Sequence, residues 1–145
     1  TGLGMSFDEI DRLLNKQSGM LGLTGQNDMR EIQKRRANGD AAAQLALDMY
    51  AYRIRKYIGA YMVALGRVDA LVFTAGVGEN SDIVRELVCQ GLDRWGIGLD
   101  VQKNELGGAA AVTEIQTADS ATKILIIPTD EELEIASQTR EMLRG

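Results

Sequence analysis

One stretch limits what this chain can fold into more than any other: Val68-Asp69-Ala70-Leu71-Val72-Phe73-Thr74-Ala75-Gly76-Val77-Gly78-Glu79-Asn80-Ser81. Its first half is a continuous apolar run rich in β-branched and aromatic residues. Such a run predicts a strand buried on both faces, as in a parallel sheet. The second half is a turn, in which Gly76 and Gly78 let the backbone approach a ligand or take positive φ. Asn80 or Ser81 then caps a helix beginning Asp82-Ile83-Val84-Arg85. Strand, glycine turn and helix start together predict a pocket of upward-pointing amides where the helix dipole favours an anion. Two glycines after a strand also serve simply to turn the chain in α/β proteins, so this stretch alone leaves site and structural turn open.

The 145 residues predict one domain with a modest core, and 45% hydrophobic with 26% charged residues is ordinary globular composition. No apolar stretch approaches a membrane span, so no membrane role is expected. A net charge of −5 disfavours non-specific nucleic-acid binding while permitting a local anion site. The single cysteine, Cys89, forms no internal disulfide, and a reduced, cytoplasmic compartment follows. With no histidine in the chain to act as a base, Cys89 reads as a buried small residue and not a nucleophile. No secretory signal is visible, and a start at Thr1 is that of a processed product or of a piece of something longer.

Ser6 and Glu9 form a capping box, and Phe7, Ile10, Leu13 and Leu14 give helical apolar spacing up to Ser18-Gly19. Gly25-Gln26-Asn27-Asp28 is turn chemistry before a short charged helix over 29–37, where Asn27 or Asp28 serves as N-cap. The Lys34-Arg35-Arg36 run reads as solvated helix surface. After Asn38-Gly39-Asp40, a helix over 41–65 is expected. Its face of Leu45, Met49, Tyr50, Ile54, Tyr57, Ile58, Tyr61, Met62 and Leu65 serves as core, or as core shared with a partner subunit.

Beyond the central strand, a helix over 81–95 turns Ile83, Leu87 and Leu92 to the core, with Val84 and Val88 beside them, and Gly96 and Gly98 end it. Val77 and Val84 fit either an apolar wall at the pocket entrance or plain packing. A short strand is expected over 99–101, an irregular loop over 104–111, and an edge strand over 112–115. Lys123-Ile124-Leu125-Ile126-Ile127-Pro128 is the second buried strand. In the helix that follows, Thr129 is the expected cap and Glu132 completes its capping box. That cap accounts for Glu132 well and for Glu131 less well.

Three strings carry a resemblance. Phe73-Thr74-Ala75-Gly76-Val77-Gly78-Glu79-Asn80, then Ser18 to Gly25 followed by Asp28-Met29-Arg30, and Ile127-Pro128-Thr129-Asp130-Glu131-Glu132-Leu133 are similar to signatures of the acetate and propionate kinases. That family belongs to the superfamily of actin, sugar kinases and Hsp70. A dinucleotide-binding Gly-x-Gly-x-x-Gly does not fit, because its third glycine would fall on Ser81.

The resemblance implies the fold: α/β, the C-terminal part of an actin-like ATPase (RNase H-like) domain. Parallel strands at 68–75 and 123–128 are then packed by helices at 6–16, 41–65, 81–95 and 130–143, and residues 1–145 form a single domain fragment. It also implies a reversible transfer of the γ-phosphoryl group of ATP to acetate or propionate, giving ADP and an acyl phosphate. Asp28, Met29, Arg30, Gly76, Val77, Gly78, Glu79 and Asn80 would face the nucleotide, and Glu131 would contact its Mg²⁺. Arg30 suits that part, since a guanidinium stacks on adenine and pairs with oxygen anions.

The family's phosphate-gripping hairpin, catalytic aspartate, active-site histidine and substrate-binding arginines all precede the matched region, so no catalytic residue is assigned here. A homodimer is implied, as is inactivity of this portion without the N-terminal part of the enzyme. In the superfamily the sheet begins with an antiparallel three-stranded meander, and the strand at 68–73 would pair with the first of its strands, so one edge of it is expected to be open, and self-association or disorder near it follows. The alternative is a non-catalytic adenine-nucleotide-binding or dimerisation module.

Overall fold

Helix α1 (Phe7–Lys16) begins as its capping box predicts: Ser6 N–H donates to Glu9 Oε2 at 2.7 Å, and Glu9 N–H donates to Ser6 Oγ at 3.3 Å. In this computed structural model, which describes residues 4–107 and 112–143, α1 opens the first of two compact units, Thr1–Leu65 and Gly66–Gly145. No residue of α1 is buried, and Phe7 is 85% exposed. Helix α2 (Gly19–Thr24) stops at Gly25, whose φ of +71° is open to glycine at little cost. Helix α3 (Met29–Ala37) follows, and α4 (Ala41–Leu65) packs on both α2 and α3.

The face that α4 buries differs from the expected one. Ala43, Ala46, Leu47 and Ala51 are interior, beside the equally buried Ile32 of α3, whereas Leu45 and Met49 are about half exposed. Small alanines allow close helix approach and take the contact, while of the bulkier stripe Tyr50, Ile54, Ile58 and Met62 are half-buried and Leu45, Met49, Tyr57, Tyr61 and Leu65 are exposed. The helix is apolar on more than one side. Arg35 is also no mere solvated charge: its Nε donates to Asp40 Oδ2 at 2.8 Å and its Nη1 to the Thr24 carbonyl at 2.7 Å. It ties the end of α2 to the start of α4, where Asp40 Oδ1 accepts from the Ala42 and Ala43 amides.

The second unit is built on a three-stranded sheet ordered β1-β3-β2. Strands β1 (Ala70–Phe73) and β3 (Lys123–Ile126) run parallel, with Ala70 opposite Lys123 and Phe73 opposite Ile126. The two-residue β2 (Thr113–Glu114) lies antiparallel on the other side of β3, as an edge strand should. Both parallel strands are shorter than expected. Beyond β1, Ala75 turns to a φ of +57°, and beyond β3 Pro128 has no N–H to offer. Strand β1 lies at the sheet edge and has no second partner among the described residues, so Val72 is 45% exposed and only Phe73 is buried. The expected strand buried on both faces is therefore an edge strand buried mainly on one.

The glycine turn expected before residue 81 is a helix, and the expected helix over 81–95 is two elements. Helix α5 (Ala75–Asn80) carries the glycines, α6 (Asp82–Cys89) follows, and a 3₁₀ turn (Asp93–Trp95) comes after a break at Gly91, whose φ is +77°. Helix α6 buries Val84, Arg85, Val88 and Cys89, a face rotated from the predicted Ile83 and Leu87. Where a strand was expected over 99–101, Leu99 makes only an isolated bridge to Gln116 and Val101 starts α7 (Val101–Leu106), which runs on into the expected loop. The rest of that predicted loop, residues 108–111, lies outside the described residues. The core of this unit gathers Phe73, Val84, Val88, Cys89, Ile97, Ile115, Ile124 and Ile126. Helix α8 (Glu131–Met142) closes the chain. Among the described residues no helix is long and apolar enough to cross a membrane.

Candidate functional site

The two later strings meet. A cleft of about 380 Å³ is lined by Ala75 and Gly76 from α5 and by Thr129, Asp130 and Glu132 from the start of α8. That volume lies within the range of small-ligand sites.

Each wall has a local cause. On the α5 side the strained position is not a glycine: Ala75 takes the left-handed φ of +57°, and neither Gly76 nor Gly78 has positive φ. Gly78 is needed for another reason, since a Cβ there would sit 3.3 Å from the Phe73 carbonyl carbon. Helix α5 thus lies back tightly on the end of β1. Asn80 does not cap α6; its side-chain Nδ2 donates to the Gly76 carbonyl at 2.9 Å, while Ser81 Oγ accepts from Val84 N–H at 3.1 Å. Ser81 is buried, so the α6 N-terminus begins in the interior. Val84 is buried too and packs in the core, whereas Val77 is half-buried.

On the opposite wall Asp130, not Thr129, caps α8, accepting from Leu133 N–H at 2.9 Å. Thr129 is engaged elsewhere. Its N–H and its hydroxyl donate to Glu79 Oε1 at 2.8 and 2.9 Å, across fifty residues of sequence. The Thr129 amide, with the Thr129 hydroxyl and the Ala75 amide adding to it, holds the Glu79 carboxyl below the usual carboxylate range. Glu131 is the first residue of α8, and its side chain lies outside the described residues.

Behind α5 stands Arg85, which the sequence reading passed over. It is 2% exposed. Its Nη1 donates to the Gly78 and Glu79 carbonyls, both at 2.9 Å, its Nε to Asn104 Oδ1 at 2.7 Å, and its Nη2 to the Asn104 carbonyl at 3.0 Å. Burial lowers the pKa of this guanidinium, and carbonyl dipoles take the place of water around it. The one signal in the sequence was its place beside Val84 and one turn before Val88 and Cys89. Cys89 is buried, which pushes its thiol up to about 12 and fits the inert role expected of it.

Asp28, Met29 and Arg30 belong to the first unit. Asp28 is the N-cap of α3, accepting from Arg30 N–H at 2.9 Å. The Arg30 guanidinium folds onto the same carboxylate, with Nη2 2.8 Å from Oδ2, and its side chain is 91% exposed. The Arg30 side chain, then its amide, brings the Asp28 pKa from an ordinary 3.8 to about 2. The sign follows from linkage: ionised Asp28 supports the start of α3 fully above pH 3.8, and that support is lost as pH falls through about 2. A carbon-detected titration of Asp28 should find its midpoint near 2, and Arg30→Ala should move it up toward 3.8. An unchanged midpoint would refute the pairing.

Among the described residues no group of three or more His, Cys, Asp or Glu side chains is gathered to hold a metal by itself. Asp130 and Glu132 nevertheless bring carboxylates to the cleft. A hard cation that keeps its waters and arrives with phosphate oxygens needs only one or two such groups.

Comparison with known proteins bears on the whole chain. The model of the acetokinase family matches residues 1–137. The chain is 57% identical over 141 residues to an acetate kinase of Syntrophobacter fumaroxidans, covering 97% of this chain and 34% of that protein. The crystal structure of Porphyromonas gingivalis acetate kinase superposes with a TM-score of 0.86 at 45% identity, over 98% of this chain and 36% of that one. A propionate kinase from Francisella tularensis gives 0.84 at 42% identity, over 92% and 34%. The chain thus spans about a third of the length of the relatives it matches, and its fold is that of the corresponding part of these actin-like kinases.

Proposed function

Because this chain belongs to the acetokinase family, we propose that it is the nucleotide-side portion of a carboxylate kinase. Such an enzyme passes the γ-phosphoryl group of ATP to acetate or propionate and releases ADP and an acyl phosphate, a reaction that runs in both directions. The observation that carries this reading is the cleft itself, where the strings at 73–80 and 128–133 face one another and are joined by Glu79 and Thr129. Gly76, Val77, Gly78, Glu79 and Asn80 form the nucleotide wall, with Asp28, Met29 and Arg30 as further nucleotide contacts.

In this reading Glu131 would hold the Mg²⁺ that accompanies the phosphates, and that ion would offset their charge. The residues of this chain bind and orient. The carboxylate oxygen must come in line with the γ-phosphorus, and the groups that grip it belong to the rest of the enzyme. The absence of histidine supports that division, and with it the expectation that this chain alone is inactive. Residues 1–145 act as one functional portion, in the cytoplasm, within a homodimer.

The test is calorimetry of ADP binding to this chain, with and without Mg²⁺, beside Asn80→Ala and Glu131→Ala. Saturable binding is expected, weakened roughly tenfold by Asn80→Ala, about 1.4 kcal/mol. The Mg²⁺ effect should vanish in Glu131→Ala. Equal affinities in all three proteins would overturn the residue assignments, and a folded chain that takes up no ADP would overturn a preformed cleft.

A non-catalytic module, binding adenine nucleotide or serving dimerisation, is the second reading. One observation favours its dimerisation half: Tyr52, Tyr57 and Tyr61 of α4 are all more than half exposed.

A further inference from the structure

Glu79 stands in the signature string, and similarity alone makes it a nucleotide contact. Its bonds point the other way. It is half-buried on α5, and its Oε1 receives both the amide and the hydroxyl of Thr129. Ala75, Gly76 and Thr129 line the cleft, and Glu79 is not among the described lining residues. Thr129 is free to make these bonds because Asp130 has taken over the capping of α8. Helix α5 has six residues, too few to hold its place unaided.

We infer that Glu79 is a positioning residue, whose side chain fixes the α5 wall of the cleft to the wall at 129–130 and does not itself touch the nucleotide. The inference rests on the nucleotide reading above for the identity of the ligand, but the latch itself is a property of the chain. A carboxylate suits the task because it accepts only, and one oxygen can take two donors at once. Its lowered pKa agrees with a group held ionised by those donors. The role needs an acceptor oxygen at this place and does not need a negative charge. Glutamine supplies the first without the second.

The experiment reads two quantities in this chain and in Glu79→Ala, Glu79→Gln and Thr129→Val: hydrogen exchange at the Thr129 amide, and affinity for ADP. The amides of β3 report in each variant that the sheet is intact. Glu79→Ala should speed Thr129 exchange and weaken ADP, each roughly tenfold. Glu79→Gln should restore both to within about threefold of the parent, and Thr129→Val, which keeps the amide bond, should fall between.

Two results would overturn the inference. One is Thr129 exchange that does not respond to Glu79→Ala. The other is Glu79→Gln weakening ADP as much as Glu79→Ala while Thr129 stays protected, since the charge would then be meeting the ligand. A parent chain that binds no ADP would count against the nucleotide reading, and the exchange data would still decide the latch.

Discussion

Arg85→Ala is expected to lower the unfolding free energy by about 3–5 kcal/mol, the largest effect of any single replacement around the cleft. The wild-type side chain makes four hydrogen bonds in a place that water does not reach. Alanine would leave the carbonyls of Gly78, Glu79 and Asn104 without that donor, and would leave a cavity where the guanidinium stood. An unsatisfied buried group costs about 1–3 kcal/mol, so the sum is bounded below by two or three such groups and softened by relaxation. Against a usual total of about 5–15 kcal/mol, the loss is large.

Lysine should rescue little. Nε and Nη2 reach Asn104 while Nη1 reaches α5, a span that a fork of donors can make and a single ammonium cannot. A urea titration decides it: a midpoint shift worth less than about 1 kcal/mol for Arg85→Ala would refute the assignment. The same replacement releases the carbonyls at the C-terminal end of α5, so weaker ADP binding should accompany the lost stability.

Arg85 also marks where the sequence stopped being legible. Its neighbours Val84 and Val88 identify a buried face, but an arginine on such a face reads as a surface residue until its partners are known. Those partners include Asn104, at the start of a stretch, 104–111, that reads as loop because it is rich in small residues. The Glu79 to Thr129 contact was hidden for the same reason, as no local pattern couples positions fifty residues apart. What was legible had local causes. The bounds of α4 follow from Asn38-Gly39-Asp40 before it and Gly66 after it, and the capping box of α1 from Ser6 and Glu9. The parallel pairing of β1 and β3 follows from their two apolar runs.

The glycine turn fell between these cases. Gly78 does mark a close approach of backbone to strand and Gly76 does not, and the left-handed residue is Ala75, which nothing in an alanine announces. The site string was legible as a string, and its shape came from tertiary packing. Helix α5 occupies residues that read as a turn, and the cap of α8 sits one residue later than Thr129, which bonds Glu79 of α5 instead.

If this chain forms the homodimer proposed above through α4, Tyr57→Glu combined with Tyr61→Glu is expected to turn it into a monomer, with self-affinity reduced about a hundredfold or more, roughly 2.7 kcal/mol. The first half of α4 buries Ala43, Ala46, Leu47 and Ala51, and no residue after Ala51 is buried. Tyr57 is 53% exposed, Tyr61 64% and Leu65 67%, which sets a row of large apolar groups on one side of a helix that is already anchored. Aromatic residues in such a row carry most of the energy of an interface.

The helix should survive the change. Arg53 lies over the Tyr57 ring at 5.9 Å, and a glutamate at 57 would pair with it one turn away. Sedimentation should therefore show the mass falling while the melting temperature of the monomer holds. The competing surface is the open edge of β1, where Val72 is 45% exposed and the strand has no second partner among the described residues. Val72→Lys separates the two. If it abolishes association while the tyrosine pair leaves it intact, the sheet edge is the contact, and α4 loses its part in the dimer.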